Sequence, residues 1–316
     1  MTISAEMVRE LREKTGAGMM KCKEALKDCN GDLEKAVDHL RKKGLASADG
    51  KSGRATSQGL VMVALSSDQR TAAVMEINCE TDFVARNEQF REFAQSVINV
   101  ALANKGIHSV ADLELASLSG GQKIEEARKA LIAKFGENMK FGRVDRLEIP
   151  SGKHGILDTY IHGEGSIGVV VQVECENPKG VQAPEIKSFA HEVALQVAAM
   201  KPQYVNRSEV APDVVAREKD VVMGQIKNDP KNAGKPENIM QKIVEGRIDK
   251  FYKESCLAEQ LYVKDDSKTI LALSEEIGKK IGTKVMVTAF RRWMVGEKTA
   301  SPVAHAETSC ACACAE

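Results

Sequence analysis

The chain has 316 residues, 43% of them apolar and 28% charged, which suits a soluble protein with more than one core. Its 45 basic and 45 acidic residues cancel, which argues against a broad nucleic-acid or anionic-membrane footprint. No apolar run approaches the ~20 residues that span a bilayer, and the start MTISAEMVRELREK lacks the apolar stretch of a secretory signal, so a cytoplasmic location is expected. Five of the eight cysteines, Cys22, Cys29, Cys79, Cys175 and Cys256, are scattered through helical and strand patterns, as reduced thiols would be. Aromatics make up only 4%, so the cores should be built from aliphatic residues, Ala and Met.

Residues 1–45 read as a compact three-helix bundle of the ubiquitin-associated type, a docking module. Ser4 caps a first helix carrying Met7, Val8 and Leu11 that stops near Thr15-Gly16. A second helix over 18–30 places Met19, Cys22, Ala25 and Leu26 on one side and ends at Asn30-Gly31. Asp32 caps a third, with Leu33, Ala36, Val37 and Leu40 inward and a stop at Gly44. Met19-Met20 admits two readings: one Met in the core and the other merely exposed, or an adaptable contact surface. Residues 46–58 are small and polar and read as a flexible linker. Gly50-Lys51-Ser52 is not a phosphate loop, because Leu45 stands where that loop needs its first Gly. The protein is therefore expected to bind no nucleotide itself.

The middle of the chain carries one unit twice, 96 residues apart. Gly59-Leu60-Val61 matches Gly155-Ile156-Leu157, AAVMEINCE (72–80) matches GVVVQVECE (168–176), and NEQFREFAQSVINVA (87–101) matches APEIKSFAHEVALQV (183–197). Each copy reads as strand, turn, strand, loop, helix, with Phe90, Phe93, Ala94 and Val97 or Ile186, Phe189, Ala190 and Val193 at helical spacing. Cys79 and Cys175 take equivalent positions, which suits buried thiols. The copies disagree between strand and helix, where Thr81-Asp82-Phe83-Val84-Ala85-Arg86 faces Asn177-Pro178-Lys179-Gly180-Val181-Gln182. For Phe83 two readings stand level. It folds back as a hydrophobic staple on the following helix, or it is an exposed aromatic anchor beside a carboxylate.

The architecture is thus expected to be α+β. Core subdomains occupy 59–150 and, for the second copy, 151–206 with 266–297; a helical hairpin is inserted at 207–265. In the hairpin, Val214, Val215, Val221, Val222 and Ile226 face Ile239, Met240, Ile243, Ile248, Phe251 and Tyr252. It either packs only on itself or supports a homodimer, the latter because Phe251 and Tyr252 are large for an internal seam. Lys284 to Val295 alternates as a strand returning to the core. Residues 298–316 are expected to be disordered. Cys310, Cys312 and Cys314, near His305, do not have structural zinc spacing. The six histidines (His39, His108, His154, His162, His191 and His305) form no metal-ligand pattern, and no nucleophile motif appears, so no catalytic residue, metal or cofactor is expected.

LREKTGAGMMKCKEALKDCNGDLEKAVDHLRKKG (11–44) and EINCETDFVARNEQF (76–90) closely resemble the bacterial elongation factor Ts family. GENMKFGRV (136–144), YIHGEGSIGVVV (160–171), MKPQYV (200–205) and IVEGRIDKFYKE (243–254) follow the same family, so the resemblance spans residues 1–297. It implies guanine-nucleotide exchange on elongation factor Tu. The bundle with Met19 and Met20 would dock on the partner's GTPase domain. The segment Thr81, Asp82, Phe83 and Val84 would intrude near the partner's magnesium site and displace the ion. His162 would face the helix that the two core subdomains grip. On this resemblance Phe83 is the anchor. In some members the insertion forms a dimerising coiled coil, and in some a further C-terminal helix touches the partner. Residues 296–316 lack helical periodicity, so that last contact is expected to be missing. The rival reading is an RNA- or ribosome-binding adaptor, which the zero net charge disfavours.

Overall fold

The structure is a computed structural model and describes residues 3–228 and 236–297, apart from the side chains of 45–47. Cys310, Cys312, Cys314, His305 and the expected disordered tail lie outside the described residues. The fold is α+β, as expected.

Helices α1 (Ala5–Thr15), α2 (Met19–Asp28) and α3 (Leu33–Asp49) bury Val8, Leu11, Cys22, Ala25, Leu26 and Ala36 against one another. Ser4 Oγ accepts from Met7 N at 3.2 Å, and Gly16 ends α1 at φ 66°, as the sequence predicts. Two expectations fail. Met19 does not join the interior face of α2 but is 49% exposed, and Met20 is 69% exposed. Nor does α3 stop at Gly44; it runs on to Asp49. Its missing side chain lets α7 (Ile124–Phe135) approach, since a Cβ on Gly44 would lie 3.0 Å from the Ala133 methyl. Here glycine serves packing and not termination. The stretch read as a flexible linker is accordingly anchored. Ala48 is buried in the core, and Asn138 Nδ2 donates to the carbonyls of Ser52 and Arg54 at 3.2 and 2.9 Å.

The first sheet has the order β1 (Gln58–Leu65), β2 (Thr71–Cys79), β3 (Met139–Glu148), all antiparallel, with α5 (Glu88–Ala103) packed on it. The second has β4 (His154–His162), β5 (Ile167–Cys175) and β8 (Val285–Met294), with α9 (Pro184–Met200) packed on it. Gln58 pairs with Cys79 and His154 with Cys175, the same register at the offset of 96. Even the irregularity repeats, between Glu76 and Ile77 in one copy and between Gln172 and Val173 in the other.

The repeat runs further than the sequence shows. Ile124 and Ile270 open α7 and α12 (Ile270–Ile281), Met139 and Val285 open β3 and β8, and both pairs stand 146 residues apart. Gly136 and Gly282 end the two helices in left-handed conformations, at φ 80° and 71°. The offset grows because the second copy carries extra chain before α12. That chain holds α10 (Pro212–Asn228), α11 (Glu237–Ser255), β6 (Leu261–Tyr262) and β7 (Asp265–Thr269), where the first copy has α6 (Val110–Leu115).

The insertion is a hairpin packed on its own seam of Val222, Ile226, Val244 and Ile248. Tyr252 joins that seam, with the Arg207 guanidinium 4.5 Å from its ring centre. The two sheets meet through Val61, Val74, Leu157, Val170 and Trp293. Burying an aliphatic side chain such as Val or Leu there contributes about 1.5–3 kcal/mol. Arg143 straddles the join: its Nε bonds Glu76 at 2.7 Å, its Nη2 donates to the Met294 carbonyl at 3.0 Å, and its guanidinium lies over Trp293.

Candidate functional site

The segment that differs between the copies is not a loop of variable shape. Asp82–Ala85 is a single helical turn, α4, and Pro178–Val181 is its counterpart, α8. The residue before each has the same backbone, φ −124° and ψ 157° at Thr81, φ −125° and ψ 154° at Asn177. Each caps its turn: Thr81 Oγ1 accepts from Val84 N at 3.4 Å and Asn177 Oδ1 from Gly180 N at 3.1 Å. Thr and Asn differ in sequence but both place an oxygen where a free turn N–H needs one. The inner face changes from Val84 and Ala85 to Gly180 and Val181, and the outward face changes too. Phe83 occupies the position of Lys179.

Phe83 is 83% exposed, so it is not a staple on α5. Val84, next to it, is 6% exposed and packs in the first core with Ala85. A turn that buries its third and fourth residues must point its first two outward. Asp82 is exposed beside Phe83, and its carboxylate lies 3.7 Å from Arg86. Of the four residues singled out from the sequence, Asp82 and Phe83 therefore face solvent, while Thr81 and Val84 face the protein.

The turn is fastened at both ends. At its start, the Glu137 carboxylate accepts from Thr81 N at 3.1 Å and from Thr81 Oγ1 at 2.8 Å. At its end, Arg91 Nε donates to the Ala85 carbonyl at 3.2 Å. Beneath it, Cys79 Sγ donates to the Thr81 carbonyl at 3.1 Å. Burial, with the Glu137 charge adding, pushes that thiol up to about 12, so it stays protonated and inert. The matched Cys175 is likewise buried, and burial pushes it up to about 11.

His162 closes β4 and is exposed, with Nδ1 3.1 Å from the Tyr160 hydroxyl. The next three residues, Gly163, Glu164 and Gly165, all have positive φ, which turns the chain sharply. Arg91 reaches this bend too: Nη2 donates to the Glu164 carbonyl at 3.3 Å and stands 3.6 Å from its carboxylate. One arginine of the first copy thus joins the Phe83 turn to the strand end that carries His162.

Met19 and Met20 sit in the first turn of α2, exposed. Their bundle is fixed to α7 by Arg41 with Glu126 and Asp49 with Lys129, both at 2.8 Å. The chain leaves α7 through Gly136 directly into Glu137. The methionine pair and the Phe83 turn therefore share one support. Sequence reasoning missed α7, Glu137 and Arg91; the Gly-Glu at 136–137 was the available signal, a helix stop followed by the carboxylate that caps the turn's start.

Among the described residues no three His, Cys, Asp or Glu are placed to hold a metal, and no helix is long and apolar enough to cross a membrane. The family model described as Elongation factor TS matches residues 80–297. Elongation factor Ts of Clostridium botulinum (strain Alaska E43 / Type E3) is 44% identical over 295 residues, 93% of each chain. The proteins of that name from Clostridium perfringens (strain 13 / Type A) and Clostridium novyi (strain NT) are 43% and 42% identical, again over 93% of each chain. With its duplicated core intact and similarity along nearly its whole length, the chain belongs to the elongation factor Ts family.

Proposed function

We propose that this protein is a guanine-nucleotide exchange factor for elongation factor Tu, acting in translation elongation without catalytic chemistry of its own. The observation that carries the proposal is Phe83: a large apolar side chain left in solvent on a turn fastened at both ends, in a chain of this family. Exposure forfeits the roughly 1.5–3 kcal/mol that burying a Phe would contribute, so the position favours a partner over the monomer. Asp82 and Phe83 are the contact residues, with Thr81 and Val84 holding them in place. Met19 and Met20 form an adaptable docking surface, and His162 contacts the same partner.

In this reading the wedge perturbs the partner's magnesium site. Magnesium bridges phosphate oxygens and protein ligands, so its displacement removes much of the attraction that retains GDP. The factor binds the nucleotide-free partner more tightly, and nucleotide weakens the factor's hold by the same ratio. Exchange is accelerated while the final distribution of nucleotide states is unchanged. The protein itself binds no nucleotide.

Release of a fluorescent GDP analogue from elongation factor Tu tests this. Wild type is expected to accelerate release in proportion to its concentration, and Phe83→Ala to lose ~30-fold, the size of an interface hot spot. No acceleration by wild type would end the proposal; full activity of Phe83→Ala would end the wedge. Self-association through 207–265 belongs to the same proposal. Its support is the exposed Val221 and Ile239 on the outer side of the hairpin, since Tyr252 is already used within it. A monomeric mass by light scattering at high concentration would remove it.

A further inference from the structure

The two copies clamp their turns from the same place with different chemistry. Glu137 follows Gly136, and Thr283 follows Gly282, the left-handed residues that end α7 and α12. In the second copy Thr283 Oγ1 accepts one bond, from Asn177 N at 3.3 Å. In the first, Glu137 accepts two, from Thr81 N and Thr81 Oγ1. A hydrogen bond to a carboxylate is roughly twice as strong as one between neutral groups, so the first clamp is several-fold stronger. At the next position each copy adds one bond, from Asn138 N to Glu80 Oε1 at 2.6 Å in the first and from Glu176 N to the Lys284 carbonyl at 3.2 Å in the second. The stronger clamp lies under the turn that shows Phe83, and the weaker under the turn that shows Lys179. The two turns have the same backbone, while the first buries Val84 and Ala85 and the second buries Gly180.

We propose that Glu137 is a positioning residue for nucleotide exchange: its carboxylate holds the Thr81 cap so that Phe83 is presented in its working orientation before the partner arrives. This rests on the exchange-factor reading above. A side chain ordered in advance does not have to be ordered during binding, and that saving appears at the step where Phe83 acts. Glu137 also follows directly on the Gly136 stop of α7, on which the methionine-bearing bundle is mounted, so docking of the bundle and placement of Phe83 share one support.

The test uses full-length wild type, Glu137→Ala, Glu137→Gln, Thr283→Val, Phe83→Ala and the Glu137→Ala/Phe83→Ala double variant. Release of the fluorescent GDP analogue is followed against factor concentration, with melting temperature alongside. Glu137→Ala is expected to lower the rate at saturation by about tenfold, the size of one hydrogen bond to a charged group. The concentration for half-saturation should change little. Glu137→Gln, which keeps one acceptor oxygen and the side-chain volume, should recover part of the loss and covers poor folding of the Ala variant. Thr283→Val should leave the rate intact, and Glu137→Ala should add nothing once Phe83 is gone. Equal losses from Glu137→Ala and Thr283→Val, or a full extra loss in the double variant, would reduce Glu137 to a structural residue and overturn the proposal. Amide hydrogen exchange at Val84 gives a readout independent of elongation factor Tu. It should quicken in both Glu137 variants, and unchanged protection would overturn the clamp even if wild type proved to have no exchange activity.

Discussion

Gly168 and Val61 meet where the two sheets pack, so closely that a Cβ on Gly168 would lie 2.4 Å from Val61 Cγ1. Both sit on strands at the centre of the join, and neither strand can withdraw without opening the seam around Val170, Leu157 and Trp293. Gly168→Ala is therefore expected to destabilise by about 1–3 kcal/mol, the cost of overpacking a filled core. Urea denaturation reads this. Gly224→Ala, in α10 with nothing within 4 Å of the new methyl, is the control and should stabilise by up to about 1 kcal/mol. A neutral Gly168→Ala would mean that the sheets are less tightly joined.

Glu76 and Arg143 form an ion pair largely removed from water, with side-chain exposures of 5% and 15%. Glu76 also accepts from Asn78 Nδ2 at 2.8 Å and from Gly296 N at 2.7 Å, binding the chain just after β8 to the first sheet. Glu76→Ala leaves Arg143 buried without its counter-charge and should cost about 3–5 kcal/mol. Glu76→Gln keeps an acceptor and should cost less. Equal unfolding midpoints for wild type and Glu76→Ala would refute the pair's role.

The proposed docking role of Met19 and Met20 should separate from the proposed wedge role of Phe83 by kinetics. Replacing Met19 and Met20 together with Ala is expected to raise the half-saturating factor concentration by roughly tenfold while the saturated rate of GDP release stays near wild type. Because both side chains are exposed, the melting temperature should not move. A fall in the saturated rate at unchanged half-saturation would assign them to the exchange step instead.

Alkaline pH should weaken the fold through its buried thiols. Cys79 is pushed up to about 12 from an ordinary value of 9.0, and Cys175 and Cys256 to about 11, each chiefly by burial. Between these limits the unfolded chain has lost the proton that the folded chain keeps. Stability is therefore fully present below pH 9 and declines as pH rises towards the folded values. Urea midpoints at pH 8 and pH 10 should show the fall, and Cys79→Ala should make it shallower. An identical slope in wild type and Cys79→Ala would count against the shift at that thiol.

The two strand–strand–helix units were legible because their buried positions keep one spacing: Val74 and Val170, Phe90 and Ile186, Phe93 and Phe189 all repeat at 96. The other half of each unit was not. IEEARKALIAKF and ILALSEEIGKKI share little beyond amphipathy, and the inserted chain moves their spacing to 146, so neither identity nor offset betrays them. Gly44 misled because a glycine that ends a helix and one that admits a neighbouring helix look alike in sequence; only Ala133 distinguishes them. Phe83 was undecided for a related reason. A staple and an anchor share the same local pattern, and the outcome depends on Val84 and Ala85 filling the core first.

The shared backbone of the two capped turns has an evolutionary consequence. After duplication, the copies could diverge in what they show to the outside without any change in how the chain folds there. Phe83 and Lys179 are alternative occupants of one socket. Natural selection could thus explore the outward character of either turn at almost no risk to the scaffold, and an engineered second wedge on the α8 turn would start from a backbone already in place.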